Sequence, residues 1–209
     1  MLHIQQLHKA YGSHTILQLE EITLSPGVYW IKGQNGAGKT TLFRCLAGML
    51  PFQGEVWLDD AYHPRQHPSA YRQRVNYGEA EPQFPAFLTG HDLMHMVAEA
   101  KQAPPDQLTQ LCEALGVGEY RHQRISTYSS GMLKKVSLVM ALLGQPRWVF
   151  LDEPLITLDP EAQEHLLHLV DQGQQQGISY LLSSHQAWST DRLPLTGQFH
   201  LHQQKLLPL

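Results

Sequence analysis

Gly33-Gln34-Asn35-Gly36-Ala37-Gly38-Lys39-Thr40-Thr41 is the stretch on which the fold of this 209-residue chain turns. It fits the pattern of a glycine, four residues, then Gly-Lys-Thr that cradles phosphates. The flanks agree with it: the apolar run Val28 to Ile31 reads as a strand, and Leu42, Phe43 and Leu46 carry helical spacing. Strand, glycine turn and helix follow in the order a phosphate-binding loop requires. Gly33, Gly36 and Gly38 allow backbone conformations in which successive N–H groups point into one concavity. The dipole of the following helix adds to the attraction for a polyphosphate. Lys39 is expected to reach the β and γ phosphates, Thr40 to place its hydroxyl on Mg²⁺, and Thr41 to bond the α phosphate.

A second chemical motif stands far along the chain, at Trp148-Val149-Phe150-Leu151-Asp152-Glu153-Pro154. An apolar strand that ends in acidic residues delivers carboxylates to the carboxyl edge of a parallel sheet, where the phosphate loop also lies. Asp152 can hold Mg²⁺, directly or through water. Glu153 can polarise the water that attacks a γ phosphate.

Composition limits the partners. The formal charge, 15 basic minus 19 acidic residues, is −4, which gives no support for a nucleic-acid-binding surface. Cys45 and Cys112 lack metal-ligand spacing and read as buried small residues in a reducing compartment. No run of about 18 apolar residues occurs, so the expectation is a cytoplasmic chain whose membrane role comes through a partner. His91 with His95, and His165 with His168, read as solvated helix faces rather than ligand sets. Leu193-Pro194-Leu195-Thr196-Gly197 resembles a sorting signal in outline but reads as a turn before a final strand.

The pattern along the chain predicts an α/β fold with a mainly parallel sheet. Leu2 to Leu7 alternates like an edge strand, and Ile16 to Leu24 reads as its partner, giving antiparallel strands at the start. Further strands are expected over Tyr29 to Lys32, Glu55 to Leu58, Arg74 to Tyr77, Trp148 to Leu151 and Ile178 to Leu182. Helices are expected around Asp92 to Lys101, Asp106 to Leu115, Ser130 to Leu143 and Glu161 to Gln176. Met132, Val136, Val139, Met140 and Leu143 share one face of the third. The chain is expected to form a single domain over 1–209, with an all-helical insert over about 84–145.

With these motifs in order, the chain resembles the nucleotide-binding domain of ABC ATPases along essentially its whole length. The distinguishing mark is Tyr128-Ser129-Ser130-Gly131-Met132, placed as the family's Leu-Ser-Gly-Gly-Gln signature would be. Leu158-Asp159 resembles the family's D-loop, and Ser183-Ser184-His185 its switch histidine. The resemblance implies that Tyr11 stacks on adenine, that His185 contacts the γ phosphate, and that Asp159 organises a facing subunit. It implies that Ser129 and Gly131 contact the γ phosphate held by a second copy. ATP would then join two chains head to tail, in a homodimer or with a paralogue, and hydrolysis would release them.

Several residues depart from the family pattern. Ser130 and Met132 replace a glycine and a glutamine of the signature, and Thr157 stands where small residues are usual. Ala80 falls where a glutamine should contact Mg²⁺ and the attacking water; Glu79, Glu81 and Gln83 are the nearby substitutes. The segment Phe84 to Gly90 resembles the groove that docks a coupling helix of a membrane permease. The resemblance therefore implies an ATP-hydrolysing subunit that serves a separately encoded permease, of exporter-type character and peripheral on the inner face of the cell membrane. A soluble ABC ATPase of a non-transport assembly would keep the same motifs, and a P-loop kinase would use Lys39 equally well.

Overall fold

The computed structural model describes residues 1–185 and 193–209. Its ten strands and six α-helices among these residues form two sheets with helices on both faces of the larger one. The smaller sheet is built on β1 (Leu2–Tyr11). β2 (His14–Gln18) and β3 (Glu21–Leu24) pair antiparallel with successive parts of it, and β5 (Gln53–Leu58) pairs along its other edge. The first strand is therefore central, not an edge, and its expected partner over Ile16 to Leu24 is two strands. Leu2 and Ile4, buried to 1% exposure or less, explain the alternation, and an irregularity with Gln6 at φ of 49° then turns Leu7 inward as well.

The larger sheet has the order β10-β9-β4-β8-β7-β6. β4 (Val28–Lys32), β6 (Val75–Gly78), β7 (Trp148–Leu151), β8 (Ser179–Ser184) and β9 (Gly197–His202) run parallel, and β10 (Lys205–Pro208) returns antiparallel on β9. Side chains alternate between two apolar layers. Tyr29 and Ile31 of β4, and Trp148 and Phe150 of β7, join Leu42, Phe43 and Leu46 of α1 (Lys39–Leu46) and the buried face of β1. Val28 and Trp30 of β4, and Val149 and Leu151 of β7, face the opposite layer. That layer contains Leu166 and Val170 of α6 (Pro160–Gln175) and much of α5 (Ser130–Leu142).

Helix α5 is buried more completely than one apolar face requires: Val136, Ser137, Leu138, Val139, Ala141 and Leu142 are all inside. It supports β6 and β7 beneath and meets α3 (Gly90–Ala100) and α4 (Gln107–Ala114) above. Thr89 caps α3 reciprocally with Asp92, which fixes where the helical segment begins. Cys45 and Cys112 are free and buried, as their setting in the sequence implied.

Two elements were absent from the sequence-based expectation. α2 (Pro68–Arg74) starts on a proline, where the missing N–H costs a helix nothing. The β9–β10 hairpin turns through Gln203 and Gln204, both at positive φ, so Leu193 to Gly197 precedes a hairpin rather than one last strand. No helix among the described residues is long and apolar enough to cross a membrane.

Candidate functional site

The parallel register brings the chemistry to one edge. Lys32 lies opposite Ser184, Leu151 opposite Leu182, and Gly78 opposite Leu151, so the segments after β4, β6, β7 and β8 all leave at the same carboxyl end. The phosphate loop, Glu79 and Ala80, Asp152 and Glu153, and His185 are thereby neighbours. β8 and β9 flank β4 while β7 and β6 lie beyond β8, so the strand order reverses at β4, where ligands bind in such sheets.

The loop itself depends on glycine at Gly38, which has φ of 104° and precedes the first residue of α1. A Cβ there would meet Ile16 Cγ2 at 2.9 Å as well as straining the backbone. Lys39 is 6% exposed and its Nζ donates to Gly33 O at 2.7 Å and Gln34 O at 3.2 Å. The lysine is thus curled over its own loop, with its charge at the mouth of α1.

Two carboxylates complete the centre. Asp152, fully buried, accepts from Thr40 Oγ1 on Oδ2 at 2.5 Å and from Ser183 Oγ on Oδ1 at 2.6 Å. Glu153 bridges two cations or potential cations: Oε1 is 3.2 Å from Lys39 Nζ and Oε2 is 3.1 Å from His185 Nδ1. Oε1 is buried and has no hydrogen-bond donor among the described residues, where the ion pair with Lys39 holds it. The Glu153 backbone has φ of 45°, a conformation non-glycine residues adopt only where surrounding contacts impose it.

A cavity of about 680 Å³ covers this centre and is lined by Asn35, Gly36, Gly38, Lys39, Thr40 and Thr41, with Glu153 and His185 on the far wall. Tyr11 stands apart at the end of β1, 51% exposed, with Lys9 Nζ 4.8 Å from its ring centre. Gly33, Gln34 and Ala37 shape the loop without lining that cavity; the last two border a smaller recess beside Leu201 and His202. Ser129 and Gly131 are not among its lining residues either. Ser129 caps α5, its Oγ accepting from Met132 N at 3.2 Å, on an exposed surface.

The sequence singled out Asp159 for a facing subunit. Within this chain it caps α6, accepting from Ala162 N at 2.8 Å, and pairs with Lys135 Nζ at 2.8 Å. Those contacts hold its carboxyl down at about 2. Ala80 lines the cavity together with Glu79, Glu81 and Gln83. Glu79 is 3.7 Å from Arg44 Nη2, while Glu81 and Gln83 are exposed.

Sequence reasoning passed over three residues at the centre. Ser183 ties Asp152 to the Glu153 backbone, donating to Asp152 Oδ1 and accepting from Glu153 N at 3.0 Å. Arg44, on the last turn of α1, reaches back to Glu79 and Tyr77. Lys134, on α5, is 1% exposed; burial pushes its pKa down to about 8 against the opposing pull of Asp152, Glu153, Glu79 and Glu81. A lysine within a helix buried on most sides was a legible signal for the third.

The comparisons with known proteins agree with this geometry. The family model described as ABC transporter matches residues 21–156. The chain therefore belongs to the ABC transporter ATPase family. Among curated relatives, it is 30% identical over 189 residues to the uncharacterized ABC transporter ATP-binding protein YdbJ of Bacillus subtilis, covering 88% of this chain and 61% of that protein. It is 28% identical over 195 residues to the lantibiotic transport ATP-binding protein SrtF of Streptococcus pyogenes, covering 88% and 80%. The chain thus spans about three fifths of YdbJ and most of SrtF. Among solved structures, an ATP-binding subunit of an ABC transporter superposes with a TM-score of 0.87 at 24% identity, covering 99% of this chain and 88% of that one. A dimeric, post-hydrolysis ATP-binding cassette bound to ADP and phosphate gives 0.83 at 16% identity, covering 99% and 96%.

Proposed function

We propose that this chain binds Mg-ATP at the edge of its parallel sheet and hydrolyses it, as the ATP-binding subunit of a transporter whose membrane-spanning part is a separate chain. The observation that carries this reading is the Lys39–Glu153–His185 run of contacts on one cavity, with the buried Asp152 bonded to Thr40 on its wall. The residue types fit the parts of phosphoryl transfer one by one. The phosphate loop and Lys39 bind and orient the β and γ phosphates. Thr40 Oγ1 and Asp152 Oδ2, two hard oxygen donors already side by side, suit Mg²⁺, which when bound neutralises charge on the phosphates.

Glu153 then has a defined role. Once the γ phosphate takes over Lys39, Oε1 can accept a proton from water as that water's oxygen attacks the γ phosphorus and ADP leaves. His185, exposed on the cavity side, steadies Glu153 through Oε2 and presents its ring to the γ phosphate. Tyr11 offers its exposed face to the adenine, and stacking there accepts any purine.

Ser129 and Gly131 serve a second copy. They lie at the start of α5, Ser129 exposed and Gly131 half-buried, off the cavity of their own chain, where a helix N-terminus offers N–H groups to an anion. Two chains packed head to tail would each complete the other's site, with ATP between them. A permease segment would dock in the groove of about 520 Å³ lined by Met49, Phe84, Val97 and Met140, with Phe87, three residues on from Phe84, 75% exposed. The relative named for lantibiotic transport supports the transporter reading over a soluble assembly machine.

The test is release of inorganic phosphate from ATP by the purified chain, with Mg²⁺ and without any acceptor. Mg-dependent release supports an ATPase; phosphate that appears only on an added acceptor would support a kinase instead.

A further inference from the structure

Lys134 is buried in a way that ordinary salt bridges do not explain. An ammonium removed from water is strongly destabilising unless its hydrogens are bonded. Here each has a backbone acceptor: Glu79 O at 2.7 Å, Asp152 O at 2.9 Å and Ala80 O at 3.2 Å. The side chain therefore fastens three segments, α5 and the stretches that leave β6 and β7.

Its contact with Asp152 O bears directly on Glu153. The peptide between these residues is held at both edges, its oxygen by Lys134 and its N–H by Ser183 Oγ at 3.0 Å. Immediately after it, Glu153 takes φ of 45°. Such a conformation is strained for a residue with a Cβ and relaxes when its restraints are lost. Relaxation would carry the carboxylate away from Lys39 and His185.

The contacts at the other end fall on Glu79 and Ala80, where the alanine methyl can touch neither metal nor water. A backbone grip on that segment works whatever side chain it carries. We propose that Lys134 is a positioning residue: its ammonium couples the helix opening at Ser129 and the Glu79–Ala80 segment to the peptide that sets Glu153. It thereby ties that segment to Glu153 through the main chain, whatever side chain stands at position 80. A shift of α5 at the nucleotide interface would thus be felt at Glu153. The inference rests on the ATPase reading above.

The experiment compares the full chain with Lys134→Met, which keeps the length of the side chain and removes its donors. Rates are expressed per molecule that binds nucleotide, so that loss of folded protein does not count. The expected result is a fall in kcat of about 100-fold, the scale of misplacing a reacting group by an ångström. Affinity for Mg-ATP should not weaken, because the loop and Tyr11 are untouched, and should rise by up to about tenfold as the carboxylate leaves Lys39. In a double-mutant cycle with Glu153→Gln, the two losses should be strongly non-additive. If Lys134→Met is not recovered folded, Lys134→Gln, with two donors on a shorter arm, takes its place with the same expected split. A kcat per binding site equal to wild type, or fully additive losses in the cycle, would overturn the proposal. Absence of phosphate release by the wild-type chain would instead overturn the ATPase reading.

Discussion

Lys39 Nζ lies 3.2 Å from Glu153 Oε1, so the loop lysine and the carboxylate that would activate water are an ion pair buried to 6% and 10% side-chain exposure. A γ phosphate brought to Lys39 competes with this carboxylate for the same ammonium. Glu153→Gln should therefore bind Mg-ATP more tightly, by about tenfold, the scale of one hydrogen bond to a charged group. It should hydrolyse ATP ~10²–10⁴-fold more slowly. Fluorescence titration and phosphate release measure the two effects separately; weaker binding by the variant would contradict the competition.

Thr40 and Asp152 share a hydrogen bond at the position proposed for Mg²⁺. Asp152→Asn keeps the shape and removes the charge. ATP affinity of the wild type should rise on adding Mg²⁺, and that gain should shrink by at least about tenfold in the variant. Equal metal dependence in both proteins would place the metal elsewhere.

Gly131 is packed under the loop that follows Glu153. A Cβ at that position would stand 2.9 Å from Thr157 O, whose residue already has φ of 62°. Gly131→Ala should displace the 155–159 loop, reducing phosphate release by about tenfold. ATP binding by the single chain should stay nearly unchanged, since Gly131 does not line its cavity. A parallel loss of binding would show that the residue serves its own site.

Burial pushes Lys101 down to about 8, with Lys101 Nζ donating to Val75 O at 3.0 Å. Between that value and the ordinary lysine range near 10.5, the unfolded chain binds more protons at this group than the folded one. Its contribution to stability therefore rises with pH from about 8 to about 10.5. Urea midpoints measured across that window should climb less steeply for Lys101→Met than for the wild type; identical slopes would mean the folded-state ammonium is not penalised.

Much of this arrangement was legible in the sequence, because the phosphate loop, Asp152 and Glu153 each sit where an apolar strand ends. A parallel sheet gathers such ends without any further information. The hairpin through Gln203 and Gln204 was not legible, since neither residue is the Asn or Gly that positive φ usually demands. The central place of β1 was hidden for another reason: alternation reports which face is buried, not how many neighbours a strand has. A lysine inside the apolar run of α5 was a visible oddity, but its main-chain acceptors, and the bonds of Ser183 to Asp152 and to Glu153 N, emerge only from the contacts.

The central claim is that ATP joins two copies, each lending Ser129 and Gly131 to the other's phosphates. Sedimentation of Glu153→Gln tests it most directly, with and without saturating Mg-ATP and with the permease present. A nucleotide-dependent shift from the single chain to a dimer is the predicted result, lost again in a variant that also carries Ser129→Phe. A chain that stays single at saturating Mg-ATP would contradict the account.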